Sequence, residues 1–418
     1  MTQPLNSKPK QLLAIGYVWP EPNSSAAGKH MLSLLKLFKT AGYQICFASP
    51  AMQTEHKIDL TQLGMDEVSI ELNNSSFDEF IRALNPQVVL FDRFMMEEQF
   101  SWRVAKNCPN ALRILDTEDL HCLRDARHKA HKQSRELTEQ DLKSDMAMRE
   151  IAAIYRCDLT LVISEYEMSI LQEQFKVPSE ILHYCPFILD IKKLTPSAKS
   201  FNQRQHFVSI GNFRHAPNWD AVLYLKQSIW PLIRKQIPSA ELHIYGAYPP
   251  PKATDLHNPK TGFYVDGWAE DAFTVLEQSK VCIAPLRFGA GLKGKLADAM
   301  WTGTPSVTTS VGSQGMNDSG KWPGAIADTP QQIADNAVAL YQDAELWQSA
   351  SEYGYEVLAA RFDANIIEPQ LLARVEDCLA HLSQHRLMNF TGMMLQHHSH
   401  KSTQYMSQWI EAKNAHPK

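Results

Sequence analysis

The sequence lacks the features that would place it in several broad classes. Its seven cysteines are scattered and include no CxxC pair, which favours reduced cytoplasmic thiols over a disulfide framework or a cysteine metal site. No run of 18 or more apolar residues is free of charge, and no apolar stretch follows the lysines near the start, so we expect neither a membrane span nor secretion. A net charge of −5 offers no general attraction for nucleic acid. We therefore expect a cytoplasmic protein that does not bind nucleic acid, and peripheral association with the inner face of a membrane stays open.

Alternating strands and helices are the main pattern of the chain. With 418 residues, 44% of them apolar, the chain is long enough for two cores. Short apolar runs bounded by turn residues are followed by helical spacing, which predicts parallel strands joined by helices. The predicted strands span residues 11–19, 43–49, 88–92, 112–116 and 159–164 in the first half, and 207–210, 242–245, 281–285 and 306–309 in the second. The predicted fold class is α/β, with two doubly wound parallel sheets.

Domain boundaries follow from composition. Residues 192–205 are polar and poor in apolar side chains, which is typical of a linker. We therefore predict Rossmann-like domains over residues 1–191 and 206–385. Residues 386–418 follow the last predicted unit, and a helix over 402–413 would place Tyr405, Trp409 and Ile410 on one face. Because an apolar face needs a surface to bury against, we expect this helix to cross back onto the N-terminal domain.

The most informative segment is a glycine-rich turn between a strand that ends at Pro285 and a helix that starts near Lys293. The free amides and the positive dipole end of such a helix attract anions, and Arg287, Lys293 and Lys295 add charge. The segment predicts a phosphate site. The alternative is a structural turn with solvated lysines.

Two phosphate-binding patterns overlap this turn without a full match. Gly289, Gly291 and Gly294 fit G-x-G-x-x-G, but on a late strand of the second domain rather than at the first turn of a βαβ unit. Gly289 through Lys295 also fit GxxxxGK, but Leu296 follows where a nucleoside triphosphatase needs a magnesium-binding Ser or Thr. The first match is weak evidence for dinucleotide binding, and the second argues against phosphoryl transfer.

The segment APLRFGAGLKGKLADAM, followed by WTGTPSVTT and GSQGM, resembles the donor site of the group-one family of retaining nucleotide-sugar glycosyltransferases. That family has the GT-B fold, in which two Rossmann-like domains face each other. The resemblance implies that Asp298 binds the donor ribose. Many members carry Glu-x7-Glu, but Ala290 stands at the first position here, which leaves open the residue that contacts the transferred sugar. The predicted donor-binding residues in this segment are Gly289, Gly291, Lys293, Lys295, Asp298 and Gly312.

Residues 207–219 resemble the family's loop in the nucleotide domain. Gly211, Arg214 and Asn218 are predicted to face the donor from there, and a helix cap is the alternative role of Asn218. In the N-terminal domain, residues 22–28 resemble the family's first loop. The predicted acceptor-side residues are Asn23, Ser24, Gly28 and Glu118, with a simple flexible turn as the alternative for the first three.

His121 follows the strand predicted at 112–116, at the edge where ligands bind in parallel sheets. The resemblance makes it the candidate for a histidine near the donor sugar. The alternative is that Asp119 or Thr117 caps the next helix and His121 lies on the surface. Glu150 matches a glutamate common in this domain, or lies on a solvated helix face.

The resemblance implies a retaining hexosyltransferase that moves a sugar from a nucleotide-diphosphate sugar to a carbohydrate, lipid-linked or other hydroxyl acceptor, in bacterial surface glycan or glycoconjugate synthesis. His121, Lys295 and Asp298 are the predicted catalytic residues. We expect no cofactor and no metal, because no Asp-x-Asp occurs and the histidines at 397, 398 and 400 lack nearby cysteines or paired carboxylates. Two alternatives stay open: a nucleotide-sugar 2-epimerase of the same architecture, and a non-catalytic partner subunit.

Overall fold

Two parallel sheets organise the structure, a computed structural model that describes residues 9–317 and 320–415. The strands are Lys10–Ile15 (β1), Tyr43–Ser49 (β2), Asp66–Ser69 (β3), Val88–Asp92 (β4), Leu112–Asp116 (β5), Leu159–Val162 (β6), Leu182–Tyr184 (β7), Gln205–Ile210 (β8), Leu242–Tyr245 (β9), Phe263–Gly267 (β10), Ser279–Ala284 (β11), Ser306–Thr308 (β12) and Gly324–Ile326 (β13). The first sheet has the order β3-β2-β1-β4-β5-β6-β7 and the second has the order β10-β9-β8-β11-β12-β13. Neighbouring strands pair in parallel throughout, as predicted.

Helices cover both faces of each sheet, because parallel strands are joined by crossovers. They are Ala26–Thr40 (α1), Ser76–Leu84 (α2), Arg93–Asn107 (α3), His121–Lys132 (α4), Asp145–Arg156 (α5), Glu165–Glu173 (α6), Ala216–Tyr224 (α7), Trp230–Gln236 (α8), Pro251–Thr254 (α9), Ala272–Gln278 (α10), Gly294–Trp301 (α11), Ser310–Ser313 (α12), Pro330–Gln342 (α13), Ala344–Arg361 (α14), Ala364–Ala380 (α15), Leu382–Met388 (α16) and Phe390–Ala415 (α17). None of the described helices combines the length and the apolar character needed to cross a membrane.

The central strands are buried on both faces, which is why their sequences are continuous apolar runs. Every residue of β4 and β5 is buried, including Asp92 and Asp116 at their carboxyl ends. Sequence analysis missed the edge strands β3, β7, β10 and β13, which are at most five residues long and carry few buried side chains. These strands are too short and too exposed to produce an apolar run.

The chain crosses between the two sheets twice, and the two crossings are bonded to each other. The amide of Leu189 donates to Phe362 O at 2.8 Å, and the amide of Ala364 donates back to Leu189 O at 2.9 Å. Beyond this crossing, α15 buries Ile367 and Leu371 in the same core as β1 and α1. The return to the first sheet therefore begins ahead of residue 386.

Helix α17 packs against α3 and α5 of the first sheet's layer. The side chain of Ser407, not an apolar one, is buried there and accepts from Arg103 Nη2 at 3.2 Å. The expected buried face was wrong, since Tyr405 and Trp409 are 65% and 60% exposed. Polar contacts, including Arg156 Nη1 to Ser399 Oγ at 3.1 Å, hold the helix in place.

Candidate active site

Two helices start next to each other where the carboxyl edges of the sheets meet. A Cβ placed on Gly294, the first residue of α11, would lie 2.6 Å from Ala26 Cβ, the first residue of α1. Neither helix has an acidic residue in its first turn. Within the described chain, no acceptor contacts the amides of Ala26, Ala27, Gly294 or Lys295. The junction therefore combines two positive dipole ends with free donors, which is the physical basis of an anion site.

The side chain of Lys295 lies beside this junction. Its Nζ donates to Asn218 Oδ1 at 2.7 Å, and Asn218 Nδ2 in turn donates to Asn212 O at 2.9 Å. Gly211 makes room for both, because a Cβ there would lie 2.6 Å from the lysine Nζ. Burial lowers the pKa of Lys295 to about 8. A cation that is partly desolvated in this way gains strongly from an anionic ligand.

Lys293 is buried at the N-cap of α11, and its Nζ donates to Gly291 O at 2.6 Å. Burial and the nearby Arg127 lower its pKa to about 8, against the opposing effect of Glu167. The two lysines thus flank the start of α11, the position at which the sequence predicts a phosphate site. Neither is a solvated surface lysine.

The glycine-rich turn is hydrogen-bonded to the N-terminal domain and packs closely against it. Arg127 of α4 donates to Gly289 O at 2.7 Å and to Gln314 Oε1 at 2.6 Å. Gly291 has φ +63°, and a Cβ there would lie 2.8 Å from Asp119 Cβ. Only glycine fits both the backbone conformation and the close approach. The turn is therefore shaped to receive the opposite domain.

The amide of Gly291 is not available to a phosphate, contrary to the expectation for this turn. It donates at 2.7 Å to Oε1 of Glu167, a fully buried residue of α6 that also accepts from the amide of Leu120 at 3.2 Å. Burial and the charge of Asp119 raise the pKa of Glu167 to about 7. A protein carboxylate fills this anion position, so the Gly291 amide does not add to the free amides at Gly294 and Lys295.

His121 is buried at the first position of α4, so the surface alternative is wrong. Its Nδ1 lies 3.1 Å from Asp119 O and 3.5 Å from Glu150 Oε1, both acceptors. In the tautomer that satisfies both acceptors, Nδ1 carries the proton and Nε2 carries the lone pair. Glu150 is also buried and accepts from the amides of His121 and Cys122 at 2.9 and 2.8 Å. It caps α4 rather than lying on a solvated face.

An acidic cluster follows β4 and β5 beside His121. Burial and the neighbouring Asp116 raise the pKa of Glu118 well above its ordinary value. Arg93 lies among these carboxylates, and both Arg93 and Glu118 adopt left-handed backbone conformations, with φ +69° and +60°. Non-glycine residues in this conformation concentrate at functional sites.

The family model described as glycosyl transferases group 1 matches residues 204–343. This segment is a group 1 glycosyltransferase domain. It contains the second sheet together with Lys293, Lys295 and Asp298. The resemblance drawn from the sequence is thereby confirmed for the half that carries the glycine-rich turn. A search of curated proteins finds no match.

Solved structures extend the similarity over most of the chain. A sucrose-phosphate synthase from Thermosynechococcus elongatus superposes with a TM-score of 0.66 at 16% identity, covering 89% of this chain and 99% of its own. A pneumococcal O-GlcNAc transferase, GtfA, solved with UDP and GlcNAc, gives 0.67 at 13% identity, covering 89% and 100%. A glycosyltransferase from Rickettsia africae ESF-5 gives 0.67 at 11% identity, covering 89% and 99%. The fold is GT-B, as predicted.

Asp298 of the glycosyltransferase domain faces the N-terminal domain. Its Oδ1 accepts from Lys29 Nζ of α1 at 2.7 Å, and Lys29 also lies 4.7 Å from the ring centroid of Phe273. Oδ2 of Asp298 has no partner among the described residues. Oδ2 is therefore able to accept a hydrogen bond from a hydroxyl group while Lys29 holds the other oxygen.

The three residues predicted in the loop over 22–28 differ in their burial and contacts. Ser24 Oγ accepts a hydrogen bond from Asn212 Nδ2 of the other domain at 3.0 Å, whereas Asn23 is exposed. Gly28 is buried inside α1 against the backbone of Glu21, where no side chain fits.

On the glycosyltransferase domain, Arg214 is exposed and stacks on Tyr248 at 3.5 Å from the ring centroid. Asn218 lies inside α7, whose N-cap is His215, so the cap alternative is wrong. The amide of Gly312 is already bonded to Thr309 Oγ1 at 3.1 Å. That amide is therefore not free to bind the phosphates of a nucleotide-sugar donor.

Glu167 and Lys29 are site residues that the sequence does not predict. The only signal at Glu167 is Ser164-x-x-Glu167, which is typical of a capping box. Ser164 does accept from the amide of Glu167 at 3.2 Å, but the carboxylate reaches across to the glycine-rich turn instead of back to Ser164. Such a long-range contact has no local sequence signature.

Proposed function

We propose that this chain is a metal-independent retaining glycosyltransferase that moves a sugar from a nucleotide-diphosphate sugar to a hydroxyl acceptor. The observation that carries the proposal is the junction of two helix starts with free amides beside Lys295. A diphosphate is the part of such a donor that needs this environment. The pneumococcal GtfA was solved with UDP and GlcNAc, and Anabaena HepE with UDP-glucose, so uridine donors are the first to test.

In this proposal, the diphosphate lies against the amides of Gly294 and Lys295 and the Lys295 ammonium. Asp298 accepts from the ribose through Oδ2. Lys293 and Lys295 together offset the charge that develops on the departing phosphate. The positive charge is thus placed where it stabilises the transition state more than the ground state.

The transfer step is proposed to occur on one face of the sugar. The bond from the anomeric carbon to the phosphate oxygen breaks with its electron pair on that oxygen, and the acceptor oxygen bonds to the carbon from the same side. The acceptor proton goes to the departing phosphate oxygen, so the products are a glycoside and a nucleoside diphosphate. His121 accepts from a hydroxyl of the donor sugar through Nε2, the nitrogen that carries the lone pair.

The test is nucleoside diphosphate release by purified protein from a panel of nucleotide-diphosphate sugars, with and without a mixture of sugar and lipid-linked acceptors. We expect release that depends on acceptor, and an anomeric configuration by NMR that matches the donor. Lys295→Ala should lower kcat/KM at least 100-fold, whereas Lys235→Ala, an exposed lysine of the same domain, should not. Conversion of the donor without acceptor would indicate an epimerase, and binding without turnover would indicate a partner subunit.

A further inference from the structure

A second cluster of polar side chains lies at the opposite end of β8 from the candidate active site. His206 is near the amino end of β8, and Glu241 and His243 are at the start of β9. Five residues of strand separate His206 from Gly211, or about 16 Å at the rise of an extended chain. The cluster is therefore separate from the diphosphate junction.

One carboxylate oxygen lies between two ring nitrogens in this cluster. Glu241 Oε2 is 3.2 Å from His206 Nδ1 and 3.6 Å from His243 Nε2, and all three atoms lie within 4.8 Å of one another. Ligand atoms around tetrahedral zinc, at bond lengths near 2.0–2.1 Å, are about 3.4 Å apart. These two separations bracket that value, and the two ring nitrogens lie within 4.8 Å of each other.

The nitrogen of His243 that faces Glu241 lacks a hydrogen bond. His243 Nδ1 lies 2.8 Å from Asp266 Oδ2. Nε2, on the other side of the ring, is buried, lies 3.6 Å from Glu241 Oε2 and has no hydrogen-bond partner. A cation between Nε2 and Glu241 pairs with both atoms, and it is either a proton, which the two carboxylates favour by raising the pKa of His243, or a metal ion.

The surroundings of the cluster fit a metal site. Asp266 holds the far nitrogen of His243, as carboxylates commonly do for metal-binding histidines. Tyr264 stacks on the His243 ring at 4.8 Å and donates to Glu241 Oε1 at 3.3 Å, which orients the other oxygen toward the histidines. His206 adopts φ +61°, an uncommon conformation for a residue in a strand. The side chains are 21–39% exposed, so an ion and a water ligand can reach them.

We infer that His206, Glu241 and His243 form a binding site for a divalent transition ion, with zinc preferred, that joins the amino ends of β8 and β9. Two imidazoles and one carboxylate suit zinc and cobalt rather than magnesium, which requires oxygen ligands. The fourth position is open to water. The ion has a structural role here, because it is distant from the donor.

The test uses the full chain, stripped of metal and titrated with zinc by calorimetry, and with cobalt by absorption. We expect one zinc per chain with a Kd below about 1 μM, tetrahedral cobalt bands in the visible, and no binding of magnesium. His243→Ala and Glu241→Gln should weaken zinc binding at least 100-fold, and Asp266→Asn about 10- to 100-fold. Donor turnover should not change.

His398→Ala is the matched control, because the histidines on α17 could bind zinc non-specifically. We expect zinc affinity to be unchanged in this variant. Zinc affinity that persists in His243→Ala but falls in His398→Ala would overturn the assignment. So would the absence of tight binding to the unaltered chain, which would identify His243 as a protonated partner of Asp266 and Glu241.

Discussion

Gly211→Ala tests the position of the Lys295 ammonium without removing any functional group. Gly211 continues the β8 ladder through its amide, which donates to Tyr245 O at 3.0 Å, and its φ is not in the left-handed region. Alanine is therefore compatible with the backbone. The added methyl would lie 2.6 Å from Lys295 Nζ and 2.7 Å from Asn218 Nδ2, too close for either to stay in place.

The lysine tip must therefore move away from Asn218, and the contact to a bound diphosphate should be lost. A hydrogen bond to a charged group is worth about 1.5–3 kcal/mol, which corresponds to about 10- to 150-fold weaker donor binding. Calorimetric titration with the nucleoside diphosphate of the preferred donor measures this directly. The thermal midpoint should change little, because a flexible side chain absorbs the clash.

Gly354→Ala is the matched control, since a Cβ there would make only ordinary contacts at 3.4 Å with Met300. It should leave donor binding unchanged. If Gly211→Ala binds the nucleoside diphosphate as tightly as the unaltered chain, Lys295 does not contact the diphosphate and the proposed donor geometry is wrong.

Three further predictions concern the two lysines, Glu167 and the buried pair of Glu97 with Arg156. Donor affinity should fall as the pH rises above about 8, because the pKa values of Lys293 and Lys295 are lowered to about 8 and the neutral amines attract no anion. Binding titrations from pH 6.5 to 9.5 would show this fall, and an affinity that does not change with pH would contradict it. Glu167→Ala should destabilise the chain by about 1–3 kcal/mol per abandoned amide, whereas Glu167→Gln keeps an acceptor. Since the pKa of Glu167 is raised to about 7, its contribution to stability is lost as the pH rises from about 4.5 through 7. In thermal melts, the midpoint of Glu167→Gln should therefore decline less over this pH range than that of the unaltered chain. The same pH dependence in both proteins would refute this prediction. Burial opposes ionisation of Glu97, but Arg156 outweighs this effect and lowers the pKa of Glu97 to about 2, so stability should fall as the pH drops from about 4.5 toward 2. Arg156→Met should lower the free energy of unfolding by about 3–5 kcal/mol in denaturant titrations. A loss of less than about 1 kcal/mol would show that the pair contributes little.

Much of the fold could be predicted because the central strands are buried on both faces. The predicted bounds of β2, β4, β5 and β9 agree with the structure to the residue. Continuous apolar runs of this kind depend only on local composition. The charged segment between residues 123 and 156 divides into α4 and α5 around a polar turn, and nothing in charged helical spacing marks where one helix stops.

Less of the candidate site could be predicted from the sequence, because most of its contacts join residues far apart in the chain. Lys295 and the glycine-rich turn are visible in the sequence, since a helix start with basic residues is a local pattern. The contacts of Glu167 with Gly291 and of Lys29 with Asp298 depend on how the two sheets face each other. The prediction that Tyr405 and Trp409 are buried was wrong for the same reason, because polar partners on α3 and α5 determine which face of α17 is buried.

The doubled connection between the sheets limits how the two domains can move against each other. A single connecting segment would let the domains twist freely, but here two segments are hydrogen-bonded to each other at Leu189, Phe362 and Ala364. Twisting would break those bonds, whereas bending about them leaves both intact. Any separation of the domains should therefore be a hinge motion about this point, and each closure should restore the same contacts between them.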